Sequence, residues 1–151
     1  MEGVKELLKK YPEAAAFAGA AVSVWNGSTS PIKIEMTVKG KLYIELKRLL
    51  NKKILTVFLT DSDIRHIKKK HGSNEAERKQ VNITPEDFAL IPLVLNEFDK
   101  VEHTLTDKLG YKKLLFQKNC SGMIYVATVE RGENKVEVRT FWKMRDPGAS
   151  C

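Results

Sequence analysis

The sequence predicts an α+β fold, with N-terminal helices packed on one face of a four-stranded antiparallel meander. Three observations carry this. Helix signals dominate the chain up to about residue 98. After that, four β-rich runs follow one another, separated by short segments that each contain glycine. Short connections make consecutive strands antiparallel neighbours, and helices grouped before strands give an α+β layering.

The elements follow in order. Val4, Leu7 and Leu8 sit at i, i+3 and i+4 and begin a helix. Pro12 starts a second, Ala-rich helix over residues 13–22. The cluster from Asn26 to Pro31 is a turn and linker. Ile32, Ile34, Met36 and Val38 alternate with polar residues as in a half-buried strand. Leu42, Leu46, Leu49 and Leu50 return to helical spacing, and residues 54–59 form a short β-rich run. Thr60 with Asp61 and Asp63 marks a helix start, and Gly72 its end. Thr84, Pro85, Glu86 and Asp87 mark another start, with a stripe of Phe88, Ile91, Val94, Leu95 and Phe98 and a kink expected at Pro92. The four strands are 101–105, 112–118, 123–130 and 135–142, separated by 106–111, 119–122 and 131–134. This divides the chain into a helical arm and linker (1–30), a main domain (31–145) and a tail (146–151).

Composition narrows the class more than the chemistry. The chain has 151 residues, 42% hydrophobic and 30% charged, which excludes disordered and collagen-like proteins. A chain of this size buries about 70% of its unfolded surface and needs no staple. The net charge of +7 favours polyanionic partners. Cys120 and Cys151 form no CxxC and suggest no disulfide framework, so a cytoplasmic setting fits. The run from Ala14 to Trp25 is too short to span a bilayer, and Glu2, Glu6, Glu13 and Pro12 argue against a signal peptide.

The chemistry concentrates on the helix after Thr60, which holds two of the three histidines. At about 100° per residue, Ile64 and Ile67 define a buried stripe, and His71 returns to it at the helix end. His66 lies roughly 130° away, with Lys70 on its side and Lys69 beside it. An inward imidazole among cations suits RNA cleavage without a metal, with His71 as general base, His66 as general acid and the lysines holding phosphate. A basic last turn also satisfies a helix dipole, which is its structural explanation. The histidines are five apart and so diverge, and no cysteine or carboxylate pair completes a zinc site. No metal or other cofactor is expected. His103 reads as structural.

The last strand supplies a second set. Unbroken alternation puts Val136, Val138, Thr140 and Trp142 on one face and Glu137, Arg139, Phe141 and Lys143 on the other. Both faces are mixed. Arg139 and Lys143 suit a phosphate, Thr140 can hydrogen-bond it, and Trp142 or Phe141 can stack on a base. An amphipathic edge strand explains the same pattern structurally.

The stretch Leu59–Gly72, with Ile83–Phe88, Val94–Asp99, Tyr125–Gly132 and Val136–Lys143, resembles phage-associated BECR nucleases, the group joining barnase, EndoU, tRNA-cleaving colicins and RelE. The resemblance covers about residues 42–144. It implies a helix before a four-stranded sheet and metal-independent RNA cleavage to a 2′,3′-cyclic phosphate, with tRNA among the substrates. His66 and His71 match the family's helix histidines, and Thr140 and its basic neighbours match the polar positions of the final strands. One departure is that EndoU enzymes draw two histidines and a lysine from separated segments, whereas both histidines here share a helix. Implied partners are RNA, an immunity protein or antitoxin, and phage head proteins, but no membrane. The implied location is the bacterial cytoplasm or the virion. The alternatives are a non-catalytic nucleic-acid-binding module and a phage structural or interaction domain on the same fold.

Overall fold

A computed structural model of the protein describes residues 2–51, 53–104, 112–120, 122–131 and 136–146. Two helices, α1 (Glu2–Lys10) and α2 (Glu13–Trp25), lead into β1 (Lys33–Thr37), α3 (Gly40–Leu50), β2 (Thr56–Thr60) and α4 (Asp61–His71). A 3₁₀ turn (Glu75–Arg78) and a 3₁₀ helix (Pro85–Leu90) precede α5 (Ile91–Asn96). Then come β3 (Lys100–Thr104), β4 (Lys112–Cys120), β5 (Met123–Arg131) and β6 (Val136–Arg145). The expected separators 106–111 and 132–134, and the tail from 147 on, lie outside the described residues.

The fold is α+β, but its sheet is not the expected four-stranded antiparallel meander. It has six strands in the order β1-β2-β6-β5-β4-β3 and is mixed. The meander is its β3–β6 part, with antiparallel pairing throughout. β1 and β2 pair antiparallel, from Lys33 opposite Thr60 to Thr37 opposite Thr56. β2 then joins β6 in parallel, with Phe58 opposite Glu137. The local patterns reveal β1 and β2 as β-rich runs. The parallel join escapes them because parallel partners are far apart in sequence and share no tight turn.

A second correction concerns β6. Thr128 pairs with Thr140 and Val129 with Val138, so Arg139 is an extra residue, a β-bulge. One inserted residue reverses the alternation beyond it. Val136, Val138, Phe141 and Lys143 therefore share the helix-covered face, while Glu137, Thr140 and Trp142 share the other. The mixed faces seen in the sequence are two consistent half-strands read across a bulge.

The helices bury one apolar layer against this sheet. Phe17, Ala21 and Val24 of α2, Leu42 and Leu46 of α3, and Ile64 and Ile67 of α4 join Leu59, Phe88, Phe116 and Phe141 in one core. Phe88 and Phe141 meet edge to face at 5.6 Å. Pro92 does not kink a continuous helix. It stands in the first turn of α5, where its missing N–H leaves no bond unmade, and the segment before it is 3₁₀. Gly122, at φ +78°, turns β4 into β5 in a conformation that other residues disfavour. Cys120, at the end of β4, is disulfide-bonded, although the cysteine spacing suggested no framework.

The bulge makes a direct prediction. Phe141→Ala should destabilise the protein by about 3–5 kcal/mol, as expected for a fully buried ring. Trp142→Ala should cost less than about half of that, because its half-buried side chain lies on the other face. Urea denaturation of both variants checks this, and the reverse ranking would contradict the bulged register.

Candidate active site

The site is built by docking α4 along β6. Beyond the Phe58–Glu137 pair, β2 ends and the chain turns into α4. Further along, this edge of β6 is bridged again at Lys143, by Val81. Between these points α4 takes the strand's place. Asp63 reaches Arg139 near the start of this gap, and the His71 ring lies 6.3 Å from Trp142 near its end. Helix and strand thus run in the same direction, with their polar residues side by side.

Local sequence explains the helix's placement. Thr60 and Asp63 form a capping box, in which the Asp63 N–H donates to Thr60 Oγ1 and the Thr60 N–H to Asp63 Oδ2. Ile64, Ile67 and His71 turn inward, all below 5% exposure. The helix ends at Gly72, where a Cβ would lie 2.5 Å from the Lys68 carbonyl oxygen and a side chain would not fit. The Ile83 N–H donates to the His71 carbonyl at 2.8 Å and ties the next segment to that end.

His71 has a partner that the sequence pattern hid. Its Nδ1 lies 2.7 Å from Glu75 Oε2, and Glu75 is fully buried. The Glu75 N–H donates to Asn82 Oδ1, and Arg78 Nε stands 3.7 Å from Oε1. Residues 73–82 are mostly polar, yet they fold back to place a carboxylate on the imidazole. The only sequence signal is the four-residue spacing across the glycine. A carboxylate at Nδ1 fixes the ring's orientation and directs Nε2 to outside chemistry.

His66 is exposed, and its pKa is lowered. Desolvation is the largest cause, followed by the charges of Lys70 and Arg139, then His71 and Lys69. Arg139, at the bulge, is half exposed. Its Nη1 donates to Asp63 Oδ1 at 2.9 Å and to Glu137 Oε2 at 3.0 Å. Both carboxylates are nearly fully buried. Burial first, then hydrogen bonding with Glu137, pushes the Asp63 carboxyl up to about 7. Thr140 stands beside Arg139 on the Trp142 face, and its Oγ1 is buried without a hydrogen-bond partner among the described residues.

His66, Lys70, His71, Arg139, Thr140 and Trp142 thus stand along the seam between α4 and β6, the candidate cleft, with the buried Glu75, Asp63 and Glu137 bonded to two of them. Two expected residues are elsewhere. Lys143 is on the helix-covered face and bonds Asp87 at 2.8 Å, because the bulge turned it inward. Lys69 lines a separate open groove of about 450 Å³ with Arg65, Lys68, Ser73, Ser28 and Thr29. His103 lies on the far edge strand, away from the cleft. Among the described residues, no three His, Cys, Asp or Glu side chains gather as a metal ion would need. No helix among them is long and apolar enough to cross a membrane.

Comparison with known proteins gives one positive result. The profile of the family described as phage-Barnase-EndoU-ColicinE5/D-RelE like nuclease3 matches residues 37–148. No curated protein and no solved structure matches. The matched stretch is most of the chain and contains α4, Glu75 and all of β6. The chain therefore belongs to the phage-Barnase-EndoU-ColicinE5/D-RelE like nuclease3 family.

Proposed function

We propose that this nuclease-family protein is an endoribonuclease that cleaves RNA, tRNA included, without a metal ion, through attack by the ribose 2′-hydroxyl. The observation that supports it best is the paired environment of the two histidines, one among cations and the other on a buried carboxylate. Desolvation first, then the neighbouring cations, favours neutral imidazole, so His66 suits the base that takes the 2′-hydroxyl proton. A carboxylate at Nδ1 fixes the ring's orientation and directs Nε2 outward, so His71 suits the acid. This exchanges the roles that the sequence pattern suggested.

In the reaction, the 2′-oxygen bonds to phosphorus as His66 accepts its proton. The phosphorus–O5′ bond breaks as His71 donates a proton to the leaving oxygen. The products are a 2′,3′-cyclic phosphate and a 5′-hydroxyl. Arg139 and Lys70 bind the phosphate as charge grows on its oxygens. Thr140 Oγ1 donates to it, and Trp142 offers a face for a base. Lys143, engaged by Asp87, takes no part, and Lys69 is placed to meet RNA outside the cleft. An immunity protein or antitoxin would act by covering this cleft, and a phage head protein is a further partner to test. The bacterial cytoplasm or the virion remains the proposed location.

Incubation with total tRNA in EDTA tests the proposal. Wild type should leave cyclic-phosphate and 5′-hydroxyl ends, and His71→Ala should lose on the order of 10²–10⁴-fold in kcat. No cleavage by wild type, or equal cleavage by His71→Ala, would sink the assignment.

The pH profile separates the two histidines. The acid limb of kcat/KM should lie below the ordinary histidine value of 6.5, since the base must be unprotonated. Lys70→Gln should move that limb upward by removing a cation beside His66. Glu75→Gln should lower kcat at least about 10-fold while leaving the acid limb in place. An unmoved limb in Lys70→Gln would remove His66 from the base role.

A further inference from the structure

The groove that holds Lys69 has a donor set that the proposed mechanism does not use. It opens between α4 and the turn that follows α2. Arg65, Lys68 and Lys69 of α4 bring cations to it, and Ser28, Thr29 and Ser73 bring hydroxyls. Its described lining contains no carboxylate. Arg65 is paired with Asp61 of its own helix, whereas Lys68 and Lys69 form no ion pair among the described residues. Lys68 Nζ stands 5.7 Å from the centre of the Trp25 ring, which keeps that ammonium beside α2.

The hydroxyl side is equally well fixed. The N–H groups of Gly27 and Ser28 donate to the Val24 and Ser23 carbonyls, both at 3.0 Å, and so hold the turn. Ser28 Oγ accepts the Ser30 N–H at 3.3 Å, which leaves its own hydrogen to donate. Cations in the last turn of α4 also answer its dipole. The dipole does not explain hydroxyls brought to the same groove from another element. Residues 24–29 precede the stretch 37–148 matched by the nuclease profile, so this side of the groove is built by chain outside it.

The groove and the cleft share α4. At about 100° per residue, Lys68 lies roughly 160° around the helix from His66, with Lys69 between them on the outer face. For a helix about 10–12 Å across, that path is roughly 15 Å long. All three side chains are exposed, so a strand can follow it.

We propose that this groove is a second phosphate site, which takes a backbone phosphate of the RNA strand flanking the one cut in the cleft. Lys68, Lys69 and Arg65 supply charge, and Ser28 and Thr29 supply O–H donors. A phosphodiester offers acceptors only, and a lining of donors without an acid fits it. Lys69 leads the strand over α4 from one site to the other.

This inference rests on the reading of the cleft as an RNA-cleaving site, and its test separates the two. The probe is a mixed-sequence, single-stranded 2′-O-methyl RNA oligonucleotide, which cannot be cleaved because it has no free 2′-hydroxyl. Each phosphate contact to a single strand contributes about 0.7 to the slope of log affinity against log salt. Lys68→Gln should therefore make that slope shallower by about 0.7 and weaken binding about 5-fold in about 0.1 M salt. Lys68→Arg should keep both. Lys47→Gln, on α3 and outside the groove, removes an equal charge and should leave the slope unchanged. In wild type, the amide NMR signals of Ser28 and Thr29 should shift as the oligonucleotide is added. An unchanged slope in Lys68→Gln, an equal loss in Lys47→Gln, unmoved Ser28 and Thr29 signals, or no binding would each overturn the proposal. Cleavage of tRNA alongside any of these would leave the nuclease reading standing. The expected binding without any cleavage would do the reverse.

Discussion

The single extra residue at Arg139 is the constraint on which the site depends. A bulge bends its strand, increases the local twist and exchanges which side chains face which way. Before it, Val136 and Val138 feed the core; after it, Phe141 and Lys143 do. Without it, Phe141 would leave the core for the cleft side, and Trp142 would enter. The bulged residue itself is left outside the ladder, free to reach Asp63 across the gap that α4 fills. One irregularity thus sets the core, empties the cleft of Lys143 and places a guanidinium at its edge.

The gap has its own cause. Among the described residues, β2 and β6 are parallel and pair at Phe58 and Glu137 before β2 gives way to α4. A strand edge left open would expose unpaired N–H and C=O groups. α4 and Val81 cover that edge from two sides, and the Ile83–His71 bond joins them. His71 is therefore held through its helix, its carbonyl and its imidazole, the last by Glu75. A histidine placed only to cap helix carbonyls would not need a fully buried glutamate on its ring.

How much of this was legible depends on where each signal lies. The capping residues Thr60 and Asp63, the inward turn of His71 and the outward one of His66 all follow from local periodicity, and the structure places them so. The grouping of Arg139 and Trp142 with these histidines needs a tertiary fold, and periodicity offered only the residues. Lys143 was misplaced because alternation was carried through a bulge, which has no marker here such as glycine. Glu75 was passed over because a polar loop and a buried ligand-holding turn have the same composition. The six-stranded sheet was missed because hydropathy identifies a strand but not its distant partner.

The excess of positive charge over the whole chain says less about the cleft than it first suggested. Lys143 is neutralised by Asp87 inside the protein, and Lys69 faces a different groove. Within the cleft, the cations Lys70 and Arg139 stand over three buried carboxyls, Glu75, Asp63 and Glu137. Arg139 is tied to two of these carboxyls and the His71 ring to the third, so the cations and acids are coupled in place. The long-range field draws a polyanion toward the protein. What the protein does with that polyanion is decided by how the side chains along α4 and β6 are held, Arg139 by Asp63 and Glu137 and His71 by Glu75.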